Sequence, residues 1–434
     1  MEKQPIVPET LKFFNWRLTL KVMIIGMLML VLLIPKFMIL ELIGERKTAS
    51  ESVRQEIASK WSGAQVIRGP ILTIPYIQGV EGKGLEEIRE CHFLPDVLSV
   101  DGELFPKELH RSIYQTVVYG SKLRISGHFS FPGLKELKLD SASLMWDKAR
   151  LSLGISDLRG INAKVNLVWN SISLPFSPGM DNNLAGANGI SLNLPREAKF
   201  PADFLVELDL KGSESLQFAP LGETTEVNLR SAWNDPGFTG TFLPVRREVS
   251  AGGFDAQWKV LSYNRNFPQQ WKDDAFHVRQ AEFGVNLLKT ADHYQKCERS
   301  TKYGIVVIVL IFLSFFLNEI ITRQRIHPFQ YILVGFAILV FYLLLLSVTE
   351  QAGFNAAYLI SSLAVTAMVL LYSRSFLKTW MNAFTLTLIL ALALGFIFVL
   401  LQLETYALLA GSAGLFVMLA LTMFLSRKID WYSE

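Results

Sequence analysis

Charge is scarce in the last third of this 434-residue chain: residues 303 to 425 carry only Glu319, Arg323, Arg325, Glu350, Arg374, Lys378 and Glu404. So little charge over so many residues excludes an ordinary soluble domain there. Cysteine is nearly absent, with Cys91 and Cys297 alone, which excludes a disulfide-dense scaffold. The six histidines (His92, His110, His128, His277, His293, His327) are scattered without ligand spacing, so no metal site is expected. Short catalytic signatures are missing too: there is no G-x-S-x-G elbow, no G-x-x-x-x-G-K-[ST] phosphate loop and no H-E-x-x-H zinc motif. A basic surface is also lacking. Residues 44 to 302 balance 31 Lys/Arg against 31 Asp/Glu, which removes the usual footprint of a nucleic-acid binder.

What remains is apolar, and it is segregated. Residues 22 to 40 form an unbroken run that can cross a bilayer as a helix, preceded by Lys12, Arg17 and Lys21. The run outlasts a signal-peptide core and no small-residue cleavage site follows, so it reads as a signal anchor. Pro35 and Lys36 near its far end are accommodated if Lys36 snorkels to the interface. Five further runs, at 303–321, 329–348, 353–372, 381–401 and 405–425, bring the expected spans to six. Their short connections sort by charge. Arg323 and Arg325, Arg374 and Lys378, and Arg427 and Lys428 fall on one side, while Glu350 and Glu404 fall on the other. The positive-inside rule then puts residues 1–21 and 426–434 in the cytoplasm and residues 44–302 across the membrane, although Arg46, Lys47, Lys296, Arg299 and Lys302 flank the membrane on that outer side. Trp16, Tyr303, Trp380, Tyr406 and Trp431 lie at span ends, as interfacial anchors do.

Between the first span and the other five the texture changes. Val53, Ile57 and Trp61 make one helical stripe, so residues 41–62 are expected to continue outward as a helical stalk ending near Gly63. QVIRGPILTIPY, punctuated by Pro70 and Pro75, suits an edge strand because neither proline can donate to a ladder. Period-two stripes follow. One holds Leu123, Ile125, Phe129 and Phe131, and another holds Phe204, Val206, Leu208 and Leu210. With breakers at FPG, SPG, DPG and AGG, residues 63–302 are expected to form an antiparallel all-β domain, sandwich-like, inserted into a six-helix membrane protein. Leu123, Ile125 and Gly127, then Phe131 and Pro132, echo Leu208, Leu210 and Gly212, then Phe218 and Pro220. The echo admits two similar β units, but common strand grammar is the favoured explanation.

Individual residues suggest chemistry, but the bland alternative is stronger at each. GVEGKGLEE around Gly82 and Gly84 reads as a hairpin tip. Asp273 and Asp274 beside Trp271, and Asp235 before Pro236, read as turn chemistry rather than a glycosidase pair. Glu319 lies one turn before Arg323, in the favourable orientation for a boundary ion pair. Cys91 and Cys297 either bridge in an oxidising compartment or pack as separate thiols. No residue is assigned a catalytic, cofactor-binding or metal-binding role, and no cofactor is expected.

WSGAQVIRGPILTIPY (61–76), FLPD (93–96), HRSIYQTVVY (110–119), NDPGFTGTFLPVRREV (234–249), NRNFPQQW (264–271), YQKCERSTKYG (294–304) and the run from Arg325 to Glu350 resemble the CreD family, inner-membrane proteins described as cell envelope integrity proteins. The last two spans resemble that family in hydropathy alone, and Cys91 and Cys297 are not part of its pattern. The resemblance implies a bacterial inner membrane and, in some members, expression under a two-component system. It supplies no reaction and no site residue, and leaves His110 and Arg111 open to a ligand or a structural hydrogen bond. The expected role is non-enzymatic, in envelope integrity or stress response, with inner-membrane lipids and an envelope protein, lipid or glycan as partners and no nucleic acid. A transporter or lipid-handling protein using the helix bundle is the alternative, and an envelope hydrolase the second.

Overall fold

The computed structural model describes residues 16–79, 86–111, 114–130, 133–180, 188–196, 198–276, 278, 281–287, 292–322, 324–377, 379–403 and 406–427. The chain divides into two compact units, one of Met1–Ala49 with Ala291–Glu434 and one of Ser50–Thr290.

The first unit is helical. Helix α1 (Trp16–Trp61), whose residues 50–61 belong to the second unit, takes in both the expected first span and the stalk without a break, and Pro35 lies within it. Helix α2 (Asp292–Thr322) begins well before its apolar run, so Cys297 is a helical residue of this unit. Then come α3 (Pro328–Ala352), α4 (Phe354–Phe376), α5 (Trp380–Gln402) and α6 (Ala407–Ser426). Among the described residues, six helices are long and apolar enough to cross a membrane. Helix α3 starts on a capping box: His327 Nδ1 accepts from the Phe329 amide at 3.2 Å, Gln330 Oε1 accepts from the His327 amide at 3.0 Å, and Pro328 opens the helix. It ends at Gly353, whose φ of +76° lets the chain turn directly into α4. Phe312, Phe315 and Tyr331 pack edge-on at the centre, with ring centroids 5.4 Å apart for each Tyr331 contact. Lys36 is buried against α2 and donates to the Lys302 carbonyl at 3.3 Å. Tyr303 is half-buried, and Trp380 and Tyr406 are exposed at helix ends, while the side chains of Trp16 and Trp431 lie outside the described residues.

The second unit is a two-sheet sandwich. In chain order its strands are β1 (Gln65–Gly79), β2 (Glu86–Phe93), β3 (Val97–Arg111), β4 (Tyr114–Phe129), β5 (Arg150–Ile155), β6 (Asn166–Trp169), β7 (Ile172–Pro175), β8 (Ser177–Pro178), β9 (Gly189–Asn193), β10 (Ala202–Ser213), β11 (Ser215–Phe218), β12 (Thr224–Ser231), β13 (Gly237–Gly240), β14 (Arg246–Ser250), β15 (Gly253–Leu261), β16 (Gln270–Lys272) and β17 (Phe283–Asn286). One sheet runs β13-β17-β11-β1-β5-β9-β8, with β2 on β1 and β16 on β2. The other runs β14-β15-β12-β3-β4-β10-β6-β7.

Three expectations change. The domain is mixed rather than wholly antiparallel, because β1 pairs parallel with β11 and β3 pairs parallel with β12. Residues 65–79 form an interior strand, not an edge: Pro70 falls where the ladder is interrupted, and Pro75, paired with Glu90 of β2, falls where the β5 side has ended. Pro70 occupies a bulge between Arg68 and Ile71, after pairing with β11 ends at Ile67 and before pairing with β2 begins at Leu72. Pro75 lies beyond Thr73, the last residue of β1 in register with β5. Finally, the two echoing segments are direct neighbours, with Leu123 opposite Leu208 and Gly127 opposite Phe204, and they share one core rather than founding two.

The period-two stripes are borne out. Phe204, Val206, Leu208 and Leu210 are buried on β10, and Leu123, Ile125 and Phe129 on β4. Phe131, Pro132 and the 80–85 loop lie outside the described residues. Trp169, Trp258, Tyr76 and Tyr119 are the largest side chains fully enclosed in the β unit. Each such apolar group contributes roughly 1.5–3 kcal/mol relative to exposure.

Candidate functional site

The residues singled out by sequence separate into structural fittings. Arg111, at the tip of the β3–β4 hairpin, pairs with Glu56 of α1, whereas His110 beside it is exposed. Asp273 occupies a turn at φ +51° and meets Arg89 at 3.4 Å. The Asp235 carbonyl accepts from Trp233 Nε1 at 2.9 Å, which closes the Asn-Asp-Pro-Gly turn. Cys91 and Cys297 are separate buried thiols: Cys91 donates to the Ile74 carbonyl at 3.0 Å, and Cys297 lies 3.6 Å from Thr349 Oγ1. Glu319 pairs with Lys21 and accepts from the Tyr331 hydroxyl at 3.4 Å. Its expected partner, Arg323, lies outside the described residues.

Gln65 was not visible as special in the sequence, yet it organises the junction between α1 and the sandwich. Its fully buried amide donates to Ser62 Oγ (2.8 Å), the Asp157 carbonyl (2.9 Å) and the Lys211 carbonyl (3.0 Å), and its oxygen accepts from the Asp157 amide at 3.2 Å. The Asp157 carboxylate in turn accepts from the Gly63 amide at 2.8 Å and from Arg159, which holds it well below the usual carboxylate range. Arg159 also reaches the Ser59 carbonyl, and Lys211 sits 5.0 Å over the Trp61 ring. This explains Trp61 and Gly63 as the anchored end of the helix.

A cavity of about 450 Å³ opens at one end of the sandwich, where β2 passes to β3, β4 ends, β12 begins and the 262–270 loop joins β15 to β16. Arg111 terminates β3 at its other end, so the cavity and the Glu56 contact lie at opposite ends of a 15-residue strand, roughly 45–50 Å apart at about 3.3 Å per residue. Leu72, Phe93, Phe129 and Phe267 give the cavity apolar walls. Asp96, Glu136, Glu223, Ser130, Ser262 and Gln270 supply polar groups, and no Lys or Arg is among the described lining residues.

Hydrogen bonds fix this rim. Asp96 accepts from the Ser130 amide at 2.5 Å, and its carbonyl accepts from the Thr224 amide at 2.9 Å. The Glu223 amide donates to the Pro95 carbonyl at 3.0 Å, and the Ser262 amide donates to the Glu223 carbonyl at 2.7 Å. Gln269 donates to the Pro95 carbonyl at 2.5 Å and accepts from Arg265. The Arg265 guanidinium is stacked 4.4 Å over Phe267 and also donates to the Pro220 and Leu221 carbonyls, each at 3.2 Å. Burial pulls it down to about 10, with the Glu223 charge opposing. Gln270 donates to the Gly133 carbonyl at 3.1 Å and to Glu136. Tyr263, by contrast, stands 90% exposed at the mouth. FLPD and NRNFPQQW, distant in sequence, thus meet at one concave surface.

The helical unit carries a different opening, an apolar groove of about 220 Å³ between α2, α5 and α6 that includes Tyr303, Phe396, Leu400 and Gly411. Its chemistry suits an acyl chain rather than a polar solute.

Comparison with known proteins agrees with the architecture. The family model described as "Inner membrane protein CreD" matches residues 17–432. The chain is 36% identical over 414 residues to the protein named "Inner membrane protein CreD" of Escherichia coli (strain K12), covering 93% of this chain and 91% of that one. A chain matched from before its first span to beyond its last belongs to the CreD family of inner membrane proteins.

Proposed function

We propose that the protein serves the cell envelope without catalysing a reaction, by holding an envelope component at the sandwich cavity while its helices anchor it in the inner membrane. In this reading the β unit is periplasmic and both termini are cytoplasmic. The observation that supports it best is the cavity itself: a concave, mixed polar and apolar site, with fixed walls and one free aromatic side chain at its mouth. The balanced charge of residues 44–302 suits a protein, lipid or glycan better than a polyanion.

A photocrosslinking amino acid at Tyr263, with mass spectrometry of the adducts formed in living cells, tests the reading. One recurrent envelope adduct is expected, and an adduct pattern indistinguishable from that of an exposed site away from the cavity, such as Lys107, counts against it. The apolar groove between α2, α5 and α6 supports a second reading, in which the bundle handles lipid. Enrichment of lipid adducts at Leu408 over other lipid-facing positions would favour it.

A further inference from the structure

We propose that the sandwich cavity binds a saccharide bearing no net negative charge, stacked on Tyr263 and hydrogen-bonded by Asp96, Glu223 and Ser262. This rests on the cavity being the working site of the envelope role. A sugar ring has two kinds of surface. Its C–H faces are apolar and pack on aromatic rings, whereas its rim of hydroxyls must recover in the site the hydrogen bonds lost from water. The cavity offers both.

Tyr263 is 90% exposed although it is large and amphipathic, and the loop carrying it is fixed on either side, by the Ser262 amide on the Glu223 carbonyl and by Arg265 on Gln269. On a loop tied down at both sides, the exposed Tyr263 ring at the cavity's edge is available to stack. The acceptors are carboxylates, whose oxygens take two hydroxyls side by side, and the hydroxyls of Ser130 and Ser262 both donate and accept. Three carboxylates, those of Asp96, Glu136 and Glu223, face the cavity against one neighbouring cation, Arg265, which is already engaged by the Pro220, Leu221 and Gln269 oxygens, and no Lys or Arg is among the described lining residues. A uronate or phosphorylated sugar thus meets net like charge, so neutral and amino sugars are selected. A volume of about 450 Å³ lies in the range of ligand pockets, roughly 300–1,000 Å³, and suits one or two pyranose rings.

The test is calorimetric titration of the purified full-length protein with the N-acetylglucosamine trimer, the galacturonic acid trimer and spermidine. The neutral trimer should bind, at least 10-fold more tightly than the acidic one and with little salt dependence. Tyr263→Ala should weaken it at least 10-fold, Tyr263→Phe should retain it, and Glu223→Gln should weaken it about 5-fold. Tyr263 is 90% exposed, so its replacement should leave the core packing intact, and an unchanged melting temperature confirms this for each variant. No binding of the neutral trimer, equal binding by Tyr263→Ala, or salt-sensitive binding of spermidine alone overturns the inference. A recurrent protein or lipid adduct at Tyr263 in cells overturns it as well, yet leaves the envelope role standing.

Discussion

Lys21 of α1 and Glu319 of α2, 298 residues apart in sequence, form an ion pair, and Tyr331 of α3 donates to the same carboxylate. Lys21 also reaches the Ile326 carbonyl at 3.3 Å, so three helices and a connecting segment share one polar node. The lysine side chain is 23% exposed and the glutamate 12%, which leaves either one poorly solvated if its partner is removed.

Glu319→Gln and Lys21→Met should therefore each cost about 2–3 kcal/mol, below the roughly 3–5 kcal/mol of a fully enclosed pair. The double variant should be more stable than the sum of the two losses predicts. Thermal unfolding of the four proteins in one detergent reads this. Strict additivity would mean that the two side chains do not interact.

Gln65 governs the other end of α1. Gln65→Ala removes a fully buried amide and leaves the partly buried Lys211 and Asp157 carbonyls and the Asp157 amide without that partner, and should cost about 2–4 kcal/mol. Arg111→Ala breaks an exposed pair and should leave the transition unmoved. Denaturant unfolding followed by tryptophan fluorescence compares the two. Equal effects would deny the junction its importance.

His92 sets a pH dependence. It is 1% exposed between Thr73, at 3.0 Å from Nδ1, and the Trp271 ring, and burial lowers its pKa from 6.5 to about 4. Between those values the unfolded chain takes a proton that the folded unit does not. This contribution is complete above about pH 6.5 and is lost as pH falls toward 4, by up to about 3 kcal/mol. Stability measured across that window should fall on acidification, and His92→Gln should flatten the slope. An unchanged slope in the variant would remove His92 as the cause.

The two thiols should be free and slow to react. Burial pushes Cys91 up to about 12, and Cys297 is 1% exposed. Intact-mass analysis should show neither alkylated in the folded protein, both alkylated after denaturation, and no difference on reduction. A denatured, unreduced protein that takes up no label would reveal a bridge instead.

The six spans were legible because hydropathy depends on local composition, and the strand stripes because burial of one face imposes period two. Register was not. Gln65 lies beside Leu216, and Val97 beside Thr224, through parallel pairings that no local pattern encodes. Pro70 misled for a related reason, since a proline looks like an edge marker unless the bulge beside it is known. The sequence offered Glu319 only its local neighbour Arg323, while Lys21 became visible once the helices were packed. The cavity was the least legible feature, because Asp96, Glu223 and Gln270 come from three segments whose individual signals are those of ordinary turns.

The account as a whole depends on the sandwich and the chain ends lying on opposite sides of the inner membrane. In a Cys91→Ser, Cys297→Ser background, a single cysteine is introduced by Tyr263→Cys or by Arg427→Cys, and spheroplasts are treated with a membrane-impermeant maleimide. Tyr263→Cys should be labelled in intact spheroplasts and Arg427→Cys only after lysis. Labelling of Arg427→Cys from outside with Tyr263→Cys protected would contradict the arrangement, and the envelope role would fall with it.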